Sequence, residues 1–155
     1  HWNGVIAIGN SIGDIIILSG SNQNENRSHK WISRAHDQSV SVIQLIWLTS
    51  TQMLICSGSW DSFKIWDLSR SKDYPIFHFD TSKKWVYDCV FDPSILSIMI
   101  NIEGWYFSHN IFSLSEDKIV EKKFNIFEEN TTSTACHPNN PNIYVASING
   151  IIYAV

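Results

Sequence analysis

The chain alternates between short apolar runs of three to six residues and turns rich in Gly, Asn and Asp. Four of these turns have an apolar run on each side: Gly13-Asp14, Trp60-Asp61, Glu103-Gly104 and Asn149-Gly150. Gly, Asn and Asp adopt the positive φ angles that tight hairpin turns require, and runs of this length are typical of strands. The pattern therefore predicts four β-hairpins, and no segment has the period of an amphipathic helix.

The hairpins recur at a nearly constant interval. The turn residues Asp14, Asp61, Gly104 and Gly150 are 47, 43 and 46 positions apart, close to the ~40–45 residues of one four-stranded propeller blade. The paired runs are residues 5–8 and 15–18, 53–56 and 63–66, 95–100 and 105–107, and 143–146 and 151–155. A further strand is predicted before the last three hairpins, at 40–47, 85–91 and 132–136, and residues 137–141, with two prolines, are predicted to form a strand-ending turn.

This periodicity predicts an all-β fold with about three and a half four-stranded blades of a larger closed β-propeller. The expected blades are approximately 1–35, 36–80, 81–125 and 126–155, joined near 35–39, 81–84 and 126–131. Closed propellers have about 4–8 blades. We therefore expect the remaining blades to lie in a longer polypeptide.

One segment carries a family signature. Ser57-Gly-Ser-Trp-Asp61-Ser-Phe-Lys-Ile-Trp66-Asp67, read with Ala35-His36 upstream, resembles one unit of a WD-repeat (WD40) β-propeller. The resemblance implies a structural tetrad, a hydrogen-bonded chain of His36, Ser57, Asp61 and Trp66. The family usually places the Asp six positions before the Trp, whereas Asp61 lies five before Trp66, and Ala35 replaces the usual Gly. Asp61 is therefore expected either in the tetrad or displaced from it, with Trp60 in the turn.

Composition narrows the function classes. Hydrophobic residues make up 44% of the chain and charged residues 17%, which is typical of a globular domain with a core. The formal charge of -4 argues against binding that depends on attraction to nucleic acid or to a membrane surface. The sequence has no Gly-x-Ser-x-Gly elbow, phosphate-binding Gly-rich loop or His-Glu-x-x-His motif. We therefore predict no catalytic, cofactor-binding or metal-binding residues and a non-enzymatic protein.

The order of features resembles the C-terminal propeller of dynein intermediate chains. The motifs that carry this resemblance are Lys64-Ile-Trp-Asp67, Pro75-Ile-Phe-His-Phe-Asp80, Asp88-Cys-Val-Phe-Asp-Pro93 and His137-Pro-Asn-Asn-Pro141. It implies a non-catalytic motor subunit whose propeller binds the tail of a dynein heavy chain, in a complex that also contains light chains. The implied location is cytoplasmic, cytoskeletal or the ciliary axoneme.

Two other readings stay open. The segments 58–61 and 146–150 are similar to the mRNA-export and spindle-checkpoint propellers, which bind short peptides and would imply a nuclear location. The chain is alternatively an accessory propeller of a larger enzyme complex. In each case the partners are other proteins, and Trp60, Lys83 and Lys84 form the candidate interaction loop.

Overall fold

The computed structural model describes residues 4–20, 28–70, 74–92, 96–103, 105–110, 131–137, 140–147 and 152–154. Within these ranges every regular element is a β-strand, and thirteen strands form four antiparallel sheets. The prediction of an all-β fold is confirmed.

The strands follow one another in chain order within each sheet. The first sheet contains β1 (Gly4–Gly9), β2 (Ile15–Gly20) and β3 (Ser28–Ile32), and the second contains β4 (Val42–Trp47), β5 (Met53–Gly58), β6 (Ser62–Asp67) and β7 (Phe77–Asp80). The third contains β8 (Val86–Asp92), β9 (Ser97–Ile102) and β10 (Trp105–Asn110), and the fourth contains β11 (Thr131–His137), β12 (Asn140–Ser147) and β13 (Ile152–Ala154). Among the described residues, the second sheet alone has the four strands expected of a blade.

The predicted hairpins are present. β1 pairs with β2 around Gly13-Asp14, β5 with β6 around Trp60-Asp61, and β9 with β10 after Glu103, while Gly104 lies outside the described residues. β12 pairs with β13, although the turn at Asn149-Gly150 lies outside the described residues. Gly13 has a φ of 91°, which an L side chain rarely adopts, and a Cβ there would meet the His36 carbonyl oxygen. Only glycine fits this turn.

Several predicted boundaries differ from the structure. β4 begins at Val42 instead of residue 40, where the Val40 N–H donates to the Asn10 carbonyl oxygen, and β10 extends to Asn110 instead of residue 107. β9 begins at Ser97 instead of residue 95, because Leu96 has a φ of 51° and belongs to the preceding turn. The turn predicted at 137–141 is shorter, since β12 already begins at Asn140. The register shifts there, with Cys136 opposite Ile143 but His137 opposite Asn140. This bulge accommodates Pro141, which has no N–H for the ladder.

The core lies between sheets. One buried cluster fills the space between the second and third sheets and includes Phe63, Ile65, Val86 and Ile100, all with 0% of their surface exposed. A second cluster joins the first and second sheets and includes Ile15, Ile17, Ile55 and Trp66. The second sheet therefore buries apolar surface against both the first and the third sheet.

The first strands of successive sheets are neighbours. β4 lies beside β1 and β8, and β8 lies beside β11. Polar bridges join these strands: the Ser41 hydroxyl donates to the Val86 carbonyl oxygen at 2.6 Å, and the Asp88 carboxylate accepts from the Thr134 backbone N–H at 2.5 Å. β1, β4, β8 and β11 thus form a row of neighbouring strands that links the four sheets.

One face of β1 is exposed in the described part of the structure. Val5 and Ala7 of β1 pack against the second cluster, whereas Ile6 and Ile8, on the opposite face of the same strand, are 55% and 44% exposed. Ile12, in the following turn, is 70% exposed. Exposed apolar residues on one sheet face are the kind of surface that another element usually covers.

Candidate functional site

The loop between the first and second sheets holds His36 in place. The backbone N–H of His36 donates to the Gly13 carbonyl oxygen at 2.9 Å, and the N–H of Arg34 donates to the Asp14 carboxylate at 2.8 Å. Arg34 has a φ of 52°, which reverses the chain just before Ala35 and His36. These contacts dock the loop on the β1–β2 turn and direct the imidazole into the second sheet.

A continuous chain of buried hydrogen bonds starts at Trp66. Its Nε1–H donates to the Ser57 hydroxyl at 2.9 Å, and that hydroxyl lies 2.8 Å from His36 Nε2. On the other side of the ring, His36 Nδ1 lies 3.1 Å from the Ser62 hydroxyl and 3.5 Å from Asp61 Oδ2. The Ser62 hydroxyl donates to Asp61 Oδ2 at 2.5 Å. The structure thus brings together all four residues of the predicted tetrad.

The donor and acceptor inventory assigns the protons along this chain. The Ser57 oxygen accepts from the indole, so its own O–H is directed at His36 Nε2. Nε2 must then be the unprotonated nitrogen, and Nδ1–H donates toward the Ser62 hydroxyl and the Asp61 carboxylate. Every donor in the chain has an acceptor when the imidazole is neutral.

The pKa values agree with this assignment. Burial lowers the pKa of His36 to about 4, although the nearby Asp61 opposes that change. Partial burial acts to raise the pKa of Asp61, but the hydrogen bond from Ser62 and attraction to His36 outweigh it and leave the pKa below its usual value. At neutral pH the pair is therefore a neutral imidazole beside an ionised carboxylate.

Sequence reasoning missed Ser62. Asp61 Oδ2 lies 3.5 Å from His36 Nδ1, and the adjacent Ser62 hydroxyl, 3.1 Å from the same nitrogen, bridges the two side chains. Asp61 is thus linked to His36 by a long direct contact and, in addition, through the Ser62 hydroxyl. The signal was the five-residue spacing from Asp61 to Trp66 together with a hydroxyl residue directly after the Asp.

The residue types Ser, His and Asp also occur in hydrolytic triads, but the geometry here differs. Ser57 is 0% exposed, His36 is 1% exposed, and the Ser57 hydroxyl already accepts the indole N–H. A nucleophilic serine must reach a substrate from an open site. The arrangement supports a role in holding the sheet together.

The candidate interaction loop lies beside the turn that contains Asp61. The Thr81 hydroxyl donates to the Trp60 carbonyl oxygen at 2.7 Å, and Lys83 Nζ lies 5.9 Å from the centroid of the Trp60 ring, within the range of a cation–π contact. Ser82 and Lys83 have φ values of 54° and 63°, so the loop is tightly reversed. Lys84 is exposed. The structure brings Trp60 and Lys83 together and leaves both lysines at the surface.

Exposed aromatic residues extend this loop. Trp85 is 36% exposed and Tyr87 is 37% exposed. The backbone N–H of Trp85 donates a hydrogen bond to the Glu103 carboxylate at 3.2 Å. Aromatic side chains are enriched at protein–protein contacts. The surface around Trp60 therefore presents aromatic rings next to a tightly turned loop.

The described cysteines are buried thiols. Cys56 and Cys89 are free, and burial raises the pKa of both. The side chain of Cys136 lies outside the described part of the structure. Within the described residues no group of three or more His, Cys, Asp or Glu side chains could hold a metal ion, and no helix is long and apolar enough to cross a membrane.

Comparisons of the sequence with protein-family models and with curated proteins gave no match.

Proposed function

We propose that this chain is part of a WD-repeat β-propeller that acts as a non-catalytic scaffold for protein–protein assembly. The observation that carries the proposal is the buried chain from Trp66 through Ser57 and His36 to Asp61. It links a loop from the preceding sheet to the turn and last residues of a β-hairpin. This is the arrangement that the WD-repeat resemblance of the sequence leads one to expect.

The sheet order supports the same proposal. Four antiparallel sheets follow one another, and their first strands β1, β4, β8 and β11 are neighbours. Blades of a propeller pack in this way around a central axis. The uncovered face of β1, with Ile6 and Ile8 exposed, is where a further blade would pack.

The more specific form of the proposal is a dynein intermediate-chain-like motor subunit. Its support is the order of four motifs in the sequence, from Lys64-Ile-Trp-Asp67 to His137-Pro-Asn-Asn-Pro141. In this form the propeller binds the heavy-chain tail in a complex that also contains light chains. The loop with Trp60, Lys83 and Lys84 is the proposed contact, because it presents an aromatic ring and two cations on a fixed turn.

The test is affinity purification of the full-length native protein, with mass spectrometry of the proteins that come with it. Dynein heavy and light chains in stoichiometric amounts are the expected result. Nucleoporins or kinetochore proteins would instead favour a peptide-binding propeller of the mRNA-export or checkpoint type, as the similarity of segments 58–61 and 146–150 implies. Recovery of an enzyme complex would favour the accessory-propeller reading.

A paired variant tests the contact itself. The double substitution Lys83→Glu and Lys84→Glu should reduce recovery of the partner, because it reverses the charge of the proposed contact. Arg34→Glu, on another exposed loop, is the control and should recover the partner as the parent does. Equal recovery by all three proteins would show that the loop is not the contact.

A further inference from the structure

An apolar groove opens between the first and second sheets. Val5 and Ile17 form one wall, Met53 and Leu68 form the other, and Lys30 and Trp47 lie at the rim. We call this the Lys30 groove. Its volume is about 280 Å³, roughly twice the ~150 Å³ cavity that holds a benzene molecule. The groove therefore has room for one large apolar or aromatic side chain.

The groove is far from the candidate interaction loop. Trp47 pairs with Met53 at one end of the β4–β5 ladder, whereas Ile43 pairs with the tetrad residue Ser57 near the other end. Four residues of strand separate these positions, a distance of roughly 13 Å. The Lys30 groove and the surface around Trp60 are thus independent sites on opposite ends of the second sheet.

The walls of the groove are fixed before any ligand arrives. Trp47 and Met53 are held opposite each other by strand pairing, and the Leu68 N–H donates to the Met53 carbonyl oxygen at 3.4 Å. Lys30 reaches across from β3, where its Nζ donates to the Leu68 carbonyl oxygen at 3.2 Å. A preorganised groove loses less conformational entropy on binding than a flexible one.

Among the described residues, the rim carries a net positive charge, against the net charge of -4 on the whole chain. Lys30 is exposed, and the hydrogen bond to Leu68 uses one of the three N–H donors of its ammonium group. Arg70, which follows the lining residue Ser69, has a side chain that is 75% exposed, and its Nε lies 3.4 Å from the Asp67 carboxylate. Asp67 is the acidic group that the described residues place at this end, and it is 0% exposed and also accepts hydrogen bonds from Gln52 and Ser69. Its charge offsets that of Arg70, and the charge of Lys30 remains.

We propose that the Lys30 groove binds an extended peptide of a partner protein that carries one aromatic or large apolar side chain flanked by carboxylates. The apolar side chain enters between Val5, Met53 and Leu68, where it leaves water. The exposed indole of Trp47, 51% accessible, packs against its outer face. One flanking carboxylate pairs with Lys30, and a second reaches the N–H donors of Arg70 that its ion pair with Asp67 does not use. The inference does not depend on which protein binds at the candidate interaction loop.

The probe is a fluorescein-labelled peptide of ten residues with a central Phe and two acidic residues on each side, titrated with the full-length protein by fluorescence anisotropy. Saturable binding that weakens as salt is added is the expected result. One control peptide has Ser in place of Phe, and the other has Lys in place of each acidic residue. Equal binding by either control would overturn the proposal, and so would the absence of binding by the probe.

Two charge-reversal variants locate the site. Lys30→Glu should weaken binding of the acidic probe by about tenfold or more, because like charges then face each other at the rim. Arg34→Glu changes the net charge equally on an exposed loop at the opposite end of the strands, and its affinity should stay within about twofold of the parent. Lys30→Met keeps most of the length of the side chain but removes its charge, and it should give an intermediate loss of affinity for the probe. This variant tests the site even if Lys30→Glu folds poorly. Unchanged binding by a folded Lys30 variant would overturn the assignment.

A photoreactive benzoyl-phenylalanine in place of the central Phe gives a direct map. Cross-links to Trp47, Met53 or Leu68 are the expected result. Cross-links to Trp60 or Trp85 would place the peptide at the other surface and overturn the proposal. A second copy of the chain is the competing occupant, and a dimer that the peptide cannot dissociate in sedimentation experiments would favour it instead.

Discussion

At the residue scale, the hydroxyl of Ser57 takes part in hydrogen bonds with both Trp66 and His36. Its hydroxyl accepts from the Trp66 indole and lies 2.8 Å from His36 Nε2, and the side chain is fully buried. Removal of this one oxygen leaves a buried donor and a buried acceptor without a partner. An unpaired buried polar group costs much more than a hydrogen bond contributes, because it lost its water on folding.

Ser57→Ala should therefore lower the free energy of unfolding by about 2–4 kcal/mol, the sum of two unpaired buried groups. Chemical denaturation followed by far-UV circular dichroism measures the change. Ser50→Ala, in the exposed β4–β5 turn, is the matched control and should change the value by less than about 0.5 kcal/mol. A loss below about 1 kcal/mol for Ser57→Ala would mean that the chain from Trp66 to His36 contributes little to stability.

The second prediction at this scale concerns pH. His36 has a pKa of about 4 in the folded protein against an ordinary value of 6.5. Between these two values the unfolded chain binds a proton that the folded chain does not. Stability is therefore greatest above pH 6.5, falls as the pH drops toward 4, and receives no further change from this group below that. The loss amounts to about 3 kcal/mol.

The measurement is a series of denaturation curves between pH 7.5 and 3.5. His36→Gln keeps polar atoms in the ring position but has no group that titrates, so its stability should vary much less between pH 6.5 and 4. The carboxylates Asp61 and Asp67, whose pKa values are lowered from 3.8, lose their contribution only at still lower pH. A parent protein that is equally stable at pH 7 and pH 4.5 would contradict a neutral buried His36.

At the element scale, sheet packing depends on how closely two strands approach. A Cβ on Gly58 would lie 2.5 Å from Val86 Cγ1 and 2.6 Å from Val42 Cγ1, whereas a Cβ on Gly4 would have its nearest neighbour at 3.9 Å. Gly58→Ala should therefore destabilise the protein by about 1–3 kcal/mol through overpacking. Gly4→Ala, also in a strand, should be close to neutral. Thermal unfolding compares the two.

The double variant Gly58→Ala with Val86→Ala provides the internal check. It removes the contact with Val86 Cγ1 but leaves Val86 Cβ at 2.7 Å and Val42 Cγ1 at 2.6 Å from the new Cβ, so it should be only partly less destabilised than the sum of the two single variants. Strict additivity would indicate that the second and third sheets adjust without strain at Gly58.

The sequence could predict the hairpins because local chemistry sets them. Gly13 must be a glycine in its turn, and Trp60-Asp61 and Glu103-Gly104 likewise separate strands at the predicted places. The start of β9 and the bulge at Pro141 were missed, since a single positive φ at Leu96 and a register shift leave no periodic signal.

The same distinction, between features set by local sequence and features that are not, holds for the candidate site. His36, Ser57 and Trp66 could be placed from spacing and residue type, and the structure brings them together. The bridging role of Ser62 depends on how the β5–β6 turn orients two adjacent side chains, which residue spacing alone does not determine. The Lys30 groove could not be predicted, because residues from several strands of two different sheets line it.

At the scale of the whole molecule, the proposed propeller requires that another sheet cover the exposed face of β1. Ile6 and Ile8 point away from the second sheet and are about half exposed. A closed ring requires that another sheet pack against this face in the full-length protein. The double substitution of both isoleucines to Asp would then place two charges in a sheet–sheet interface, which is strongly unfavourable.

The full-length protein with both substitutions should lose at least about 3 kcal/mol of stability, if each charge replaces a buried isoleucine. Tyr74→Asp is the control, because Tyr74 is 76% exposed and belongs to the connection before β7. Hydrogen exchange of β1 adds an independent readout, since a covered face should protect its backbone amides as well as those of β4. If both isoleucine substitutions are tolerated and β1 exchanges rapidly, the face of β1 meets solvent. The ring would then not close across β1, and the propeller proposal would fail at that point.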